Sequence, residues 1–542
     1  LPARARFAPK NIKSFIYHVT KRDLGGNILR NTSSISATRV NKEGFPSFSQ
    51  PLELMIVQNL TCNIIEPTFY DTQGAALQQS LNLYKQAINE CPDFLAKAAT
   101  CARNNGFMRL QPIIAAVFLS TKFPKNKFER VFNRVVLTPK DLFDFMLLCK
   151  NVFGVRKGLG RKIKSVIKRW LSNNLSEYWA IKYRKELKIA TKLVHVSREE
   201  MNDKYNIVAW LHKFSRQDEA VAAEMLSKMP KIKQYEMLKR ASDEEEVLKL
   251  IKGGQIPHEV ATSIVKPDAR IWEAMIKQMP YFALLRHLNA LNKNGVFNDS
   301  NNIGYIVDRL TDVNAMEKAK ILPFRLFTAW KVASSNGVPA RILNALAIAL
   351  EKSFVNMPEI TGKVIVGIDV SGSMTTRVRK AKYRFIEIAA IFGAALAKKC
   401  KDVTLIPFDH QEHEFDHRSH GKIMGIVDYL SAIRGGGTDL AIPVKAMIDR
   451  GIKADVLLEI TDNEEWIYHG VMACLKEYRD SVNPDLQAFL LRIDPYINDS
   501  ALDLSDPRNH VISGWSDSVL GFINLVLNGN TVTDEIKKRG DA

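Results

Sequence analysis

Lys363–Ser373, KVIVGIDVSGS, is the stretch that decides how this chain is built. Its first eight residues, Lys363–Val370, form a β-branched run without alternation, the pattern of a strand buried on both faces of a sheet. Asp369, Ser371 and Ser373 stand where that strand runs out. Alternate residues on a chain leaving a strand can project toward one point. One carboxylate and two hydroxyls make the kind of oxygen set that a hard cation such as Mg²⁺ prefers. Asp and Ser are also ordinary turn residues, so the string needs support from elsewhere in the chain.

Support comes from downstream. The pattern predicts a helix over Lys380–Lys399, strand Val403–Phe408, helices Ile423–Ile433 and Leu440–Arg450, and strand Asp455–Ile460. A helix near Ile467–Tyr478, strand Leu486–Ile493, a short strand near His510–Ser513 and a closing helix Asp517–Leu527 follow. Strands alternating with helices make a mainly parallel, doubly wound α/β sheet of Rossmann-like type, in which ligands sit at the carboxyl ends of the strands. Two further loops leave that edge. Gly435-Gly436-Gly437-Thr438 has the backbone freedom to bring a hydroxyl inward, and Thr461-Asp462 ends a strand.

These three segments resemble the von Willebrand factor A domain and its metal-ion-dependent adhesion site. The resemblance implies a divalent-cation shell, most simply for Mg²⁺, from Asp369, Ser371, Ser373, Thr438 and Asp462, completed by an acidic group of a partner. Asp409, Glu412, Glu414 and Asp416, interleaved with His410, His413 and His417, suggest a second metal cluster at first sight. No helical register brings them together, and they read as a flexible charged loop. No base stands beside Ser371 or Ser373, so the domain carries no catalytic set.

Upstream the period changes. From about residue 51 to 355 apolar residues recur at three- and four-residue spacing, as in Ala75–Glu90, Phe94–Asn104, Gln111–Lys122, Leu142–Val152 and Arg161–Leu171, and clear period-2 strands are absent. Short amphipathic helices over three hundred residues suggest stacked helix pairs of HEAT type, with a globular all-α domain as the alternative. The expected division is an N-terminal extension over 1–50, a helical domain over 51–360 and the α/β domain over 361–542. The six cysteines are scattered without a CxxC pair, which fits reduced thiols in the cytoplasm. No run of about 18 uncharged apolar residues offers a membrane span.

Charge separates the two halves. Residues 361–542 hold 22 Lys+Arg and 26 Asp+Glu, so 55 of the 77 basic and 32 of the 58 acidic residues fall in 1–360. The helical part therefore carries +23 and the α/β part −4. Such a field attracts polyanions, nucleic acid above all, unless it serves only to keep the protein soluble.

The basic residues also cluster. Arg156, Lys157, Arg161, Lys162, Lys164, Lys168 and Arg169 lie in one segment with no acidic residue among them. A helix from Gly160 would bury Ile163, Val166, Ile167 and Trp170 and turn Arg161, Lys164 and Lys168 outward as a stripe. Gly158 and Gly160 would leave backbone N–H groups open to a phosphate at the helix start. Basic residues continue through Lys182, Arg184, Lys185, Lys188, Lys192 and His195, which favours phosphate contact over a merely solvated face.

Gly158-Leu159-Gly160-Arg161, Lys182-Tyr183-Arg184 and Lys192 through His195 are similar to segments of the TROVE domain of the Ro autoantigen and its bacterial relatives. Met279-Pro280-Tyr281-Phe282-Ala283-Leu284-Leu285-Arg286 and Leu322-Pro323-Phe324 are similar to two more. A TROVE domain followed by a von Willebrand A-like domain is the Ro architecture. The resemblance implies a helical-repeat ring, no enzymatic activity and binding of small noncoding Y RNA on a basic outer surface. It also implies entry of single-stranded ends of misfolded RNA into a central hole, for RNA quality control, sometimes beside an exoribonuclease. Arg156 through Arg169, Arg184, Lys188, Lys192 and His195 are the expected RNA contacts, on a cytoplasmic monomer. Leu187-Lys188-Ile189-Ala190 departs from the family's Gly-Trp-Ser-His string near that place. Two other readings stay open: a metal-dependent protein-interaction scaffold, and a metal-dependent nuclease, for which only Asp369 and Asp462 supply carboxylates.

Overall fold

The computed structural model describes residues 39–40, 46–47, 51–62, 73–105, 108–151, 159–212, 219–254, 256–321, 323–356, 359–377, 383–462, 470–493, 501–513, 519, 523, 526–527 and 532–539. Arg156, Lys157, Gly158, most of the expected N-terminal extension and most of the expected closing helix Asp517–Leu527 lie outside the described residues. A two-residue ladder pairs β1 (Arg39–Val40) antiparallel with β2 (Pro46–Ser47).

Contacts group the chain into two compact units. One runs to Ala115 and resumes at Leu322–Thr328 and from Leu350 onward; the other comprises Ala116–Ile321 and Ala329–Ala349. The five helices named from the sequence all form, as Gln73–Glu90, Pro92–Asn104, Leu110–Lys122, Pro139–Asn151 and Gly160–Asn174. Two of them open on proline, whose missing N–H costs nothing in the first turn.

In the second unit, packing pins the basic helix Gly160–Asn174. Ile163, Val166, Ile167 and Trp170 are buried as the spacing requires. The Trp170 indole N–H donates to the Val136 carbonyl at 2.8 Å, and its ring stacks on Trp179 at 5.7 Å between centroids. Phe128, Phe132 and Phe145 form an aromatic cluster in the same unit, Phe132 meeting Phe145 edge-on at 5.0 Å.

In the first unit, five parallel strands run in the order β4-β3-β5-β6-β7. They are β3 (Lys363–Asp369), β4 (Asp402–Phe408), β5 (Val456–Thr461), β6 (Gln487–Arg492) and β7 (Asn509–Ser513). Helices Ile442–Asp449 and Val471–Ser481 cover one face through Val444, Met447, Leu475 and Tyr478. Helix Phe385–Lys399 covers the other, with Gly393 against Ile368 and Leu405. The sequence predicts that helix from Lys380, whereas it starts at Phe385. Arg384 is still extended, paired across an antiparallel bridge with Arg377, and its N–H donates to the Glu387 carboxylate at 2.7 Å.

Counting strands from β3, the order reads 2-1-3-4-5, so the direction of winding reverses between the first and third. A crevice opens at such a switch point, at the carboxyl ends of the strands. Here those ends are Asp369 and Thr461.

Candidate functional site

Three loops meet at that crevice. Asp369 closes β3 with its carboxylate fully buried. One oxygen accepts the Ser371 N–H at 2.8 Å and the other accepts the Thr461 hydroxyl at 2.6 Å, which ties the end of β5 to the end of β3. The hydroxyls of Ser371 and Ser373 stand 3.2 Å apart. Asp462, the residue after β5, is buried as well.

The glycine loop lies directly on the Asp369–Ser373 loop. The Gly372 N–H donates to the Gly436 carbonyl at 3.0 Å, and a Cβ on Gly435 would sit 1.9 Å from the Val370 carbonyl oxygen. Only glycine fits there. This contact delivers Thr438, whose hydroxyl oxygen is buried and has no hydrogen-bond partner among the described residues. A desolvated oxygen with nothing to bind is costly unless something fills the place. The donor set is two carboxylates and three hydroxyls, and it fits a small hard cation.

Asp409 corrects the sequence reading of residues 409–417 as one flexible charged loop. It stands directly after β4, buried, with its carboxylate accepting the Gly436 N–H at 2.7 Å and the Gln411 N–H at 2.9 Å. His410 Nδ1 and His413 Nε2 each lie 3.2 Å from it. Its main-chain carbonyl accepts the Asp439 N–H at 2.9 Å. Asp409 thus holds the Thr438 loop through its two ends, Gly436 and Asp439. Burial alone would raise its carboxyl, but these N–H groups and the two imidazoles outweigh that and leave it below the usual range. Its position at the same strand edge as Asp369 was the available signal in the sequence. Burial pushes the Asp369 carboxyl up to about 6. Thr461 and Ser371 hold it back, while the Asp409 charge adds to the rise. A cation among these oxygens would reverse that, favouring the ionised form.

The basic candidates divide by what they touch. The Lys162 ammonium donates to the Phe123 carbonyl at 2.6 Å, Arg169 pairs with Glu129 at 3.1 Å, and Lys168 pairs with Glu200 at 2.9 Å. Lys168 therefore leaves the outward stripe assigned to it, because Glu200 belongs to a capping box with Ser197 that holds its carboxylate in reach. Arg184 donates to the Tyr235 hydroxyl at 3.1 Å and lies over the Trp210 ring. Arg161 and Lys164 have no ion-pair partner among the described residues.

Lys188 and Lys192 lie one turn apart on helix Arg184–Val194, which packs on Gly160–Asn174. His195 ends that helix exposed, in the left-handed conformation at φ 56°. Sequence reasoning missed His212, whose Nε2 lies 3.0 Å from the Thr191 hydroxyl. Burial lowers its affinity for a proton, and the charges of Lys188 and Lys192 lower it further. The two lysines and this imidazole therefore share one electropositive neighbourhood.

Comparison with known proteins matches both regions. Residues 363–499 fit the family described as the Ro60 vWA domain, and 259–338 fit the TROVE domain. A Caenorhabditis elegans protein called RNA-binding protein RO60 is 27% identical over 311 residues, 55% of this chain and 48% of that one. Its namesake from Deinococcus radiodurans is 26% identical over 230 residues, 40% and 43%. The chain thus spans about half the length of the curated relatives it matches. The crystal structure of the Deinococcus radiodurans RO (RSR) protein superposes with a TM-score of 0.68 at 16% identity, over 89% of this chain and 100% of that one, a likeness of fold.

Proposed function

We propose that this chain, which belongs to the Ro family through its TROVE domain and its Ro60 vWA domain, is a non-catalytic RNA-binding protein. The observation that carries the proposal is a set of four cations, Arg161, Lys164, Lys188 and Lys192, that have no ion-pair partner among the described residues and stand on two helices packed together. The name of the two curated relatives supports the same ligand. Phosphate contacts supply affinity without sequence, and RNA shape together with accessible single strands supplies selectivity. The partners are small noncoding RNAs of Y type and unpaired ends of misfolded RNA, in a cytoplasmic quality-control role. Among the described residues no helix is long and apolar enough to cross a membrane. Enrichment of small structured RNAs among those that copurify from native extract is the expected result; bulk RNA recovered in proportion to its abundance would contradict it.

The oxygen-lined crevice takes a divalent cation, Mg²⁺ first, held by Asp369, Ser371, Ser373, Thr438 and Asp462. The buried, unpartnered Thr438 hydroxyl supports this. The cation would supply a point at which a carboxylate of another protein docks, an exoribonuclease among the candidates, and the RNA needs none of it. At a free concentration 100 times its Kd, Mg²⁺ should add about 2.7 kcal/mol. For a unit of this size that is a rise of several degrees in Tm. Asp369→Ala should abolish the rise and leave RNA affinity within about twofold. A large loss of RNA binding in that variant, correctly folded, would join the two functions. Docking is also the core of the second reading, a protein-interaction scaffold. A partner protein released by chelation, with no RNA in the purified material, would favour it.

A further inference from the structure

A cleft of about 1000 Å³ opens in the second unit. Its walls come from helices Glu177–Lys182, Glu244–Gly254, His258–Ile264, Ala269–Ile276 and Tyr281–Lys293. Cations outnumber carboxylates there. Lys182, Lys252 and Arg286 face one acid, Glu259, and that acid is already engaged by Lys182 at 3.2 Å and by His258 Nδ1 at 3.4 Å. Lys252 and Arg286 are exposed and have no ion-pair partner among the described residues. They form a rim that attracts negative charge.

Below the rim the lining is apolar. Ile251, Ile256, Met275 and Met279 contribute to it and are buried in the packing of the helices. Methionine is unbranched and polarisable, so two of them together can mould to an apolar group of irregular shape. Phe282 extends this lining outward. Its ring is 37% exposed, and the Arg286 guanidinium lies 5.9 Å from the ring centroid. The polar groups of the wall are largely engaged already. The Gln278 amide donates to the Ile251 and Lys252 carbonyls, both at 3.0 Å, and His287 Nδ1 donates to the Ala283 carbonyl at 2.8 Å.

An occupant of such a cleft has an apolar group to bury and negative charges to leave at the rim. A nucleobase fits it poorly, because its polar edge would lose water against isoleucine and methionine without gaining hydrogen bonds in exchange. An aliphatic side chain has no polar edge to satisfy, and aspartates or glutamates beside it supply the charge. We propose that this cleft docks an acidic segment of a partner protein, an apolar side chain such as leucine entering over Met275 and Met279 while flanking carboxylates meet Lys252 and Arg286. The surface is separate from the metal crevice of the α/β domain and needs no cation. It does not depend on the RNA-binding reading.

The test is fluorescence anisotropy on the full chain with a short labelled peptide of aspartates and glutamates around one central leucine. The same peptide with serine for leucine, and an oligouridylate, are the comparison probes. Serine in place of leucine should weaken binding roughly 10- to 100-fold, the effect of burying that side chain. Lys252→Ala combined with Arg286→Ala should weaken the leucine peptide roughly 3- to 30-fold, by loss of two rim pairs. Both side chains are exposed, so circular dichroism and Tm of the double variant should match the parent. Oligouridylate affinity should change by less than about twofold in that variant. Equal binding of the two peptides would overturn the proposal by reducing it to unspecific charge attraction. Unchanged leucine-peptide affinity in the double variant, or no saturable binding by the parent, would overturn it as well. A large loss of oligouridylate with the peptide unaffected would assign the cleft to nucleic acid instead.

Discussion

Replacing Arg161, Lys164, Lys188 and Lys192 together by Ala should take about three units off the slope of log K against log salt for RNA binding. Each phosphate neutralised releases roughly 0.7 counterion from a single strand and 0.9 from a duplex, so four contacts give that figure. The ratio of parent to variant affinity should therefore shrink by on the order of 100-fold between 50 and 200 mM salt. None of the four side chains is buried, so stability should stay within about 0.5 kcal/mol. The contrast is a Lys162→Ala, Arg169→Ala pair. Those groups hold the Phe123 carbonyl and Glu129, and their loss should lower Tm with the salt slope nearly intact. A filter-binding titration across salt reads both. An unchanged slope in the fourfold variant would remove these helices from the interface.

The second large effect concerns one hydrogen atom at Gly435. Gly435→Ala puts a methyl group 1.9 Å from the Val370 carbonyl oxygen and 2.6 Å from its carbon. Both belong to backbone, so no flexible side chain can yield. The two loops must separate, at a cost of about 1–3 kcal/mol or more. Because this contact delivers Thr438, the variant should also lose the rise in Tm on adding Mg²⁺. Gly304→Ala is the control. It lies within helix Ser300–Thr311 with nothing inside 4 Å of the added Cβ, and should be neutral or stabilise by about 0.4–1 kcal/mol. Thermal melts with and without Mg²⁺ decide it. A Gly435→Ala protein that keeps both its Tm and its Mg²⁺ response would refute the loop arrangement.

What was legible in the sequence follows from local pattern. The β-branched run ending in Asp369 and the spacing of Ile163, Val166, Ile167 and Trp170 were readable, because period and burial are properties of neighbours along the chain. Strand ends on one sheet edge bring Asp369 and Asp462 together for the same reason. Partners from distant segments could not be read. Glu129, Glu200 and the Phe123 carbonyl are remote in sequence, yet they separate Lys162, Lys168 and Arg169 from Arg161 and Lys164. Asp409 was hidden among neighbouring charges.

Ultraviolet crosslinking of the protein to the RNA that copurifies with it, followed by peptide mapping, tests whether the two basic helices carry the RNA. Adducts are expected in Gly160–Val194, with the peptides of Asp369–Ser373 and Thr438 unmarked. Adducts confined to the α/β domain, or none above a protein-only control, would contradict it.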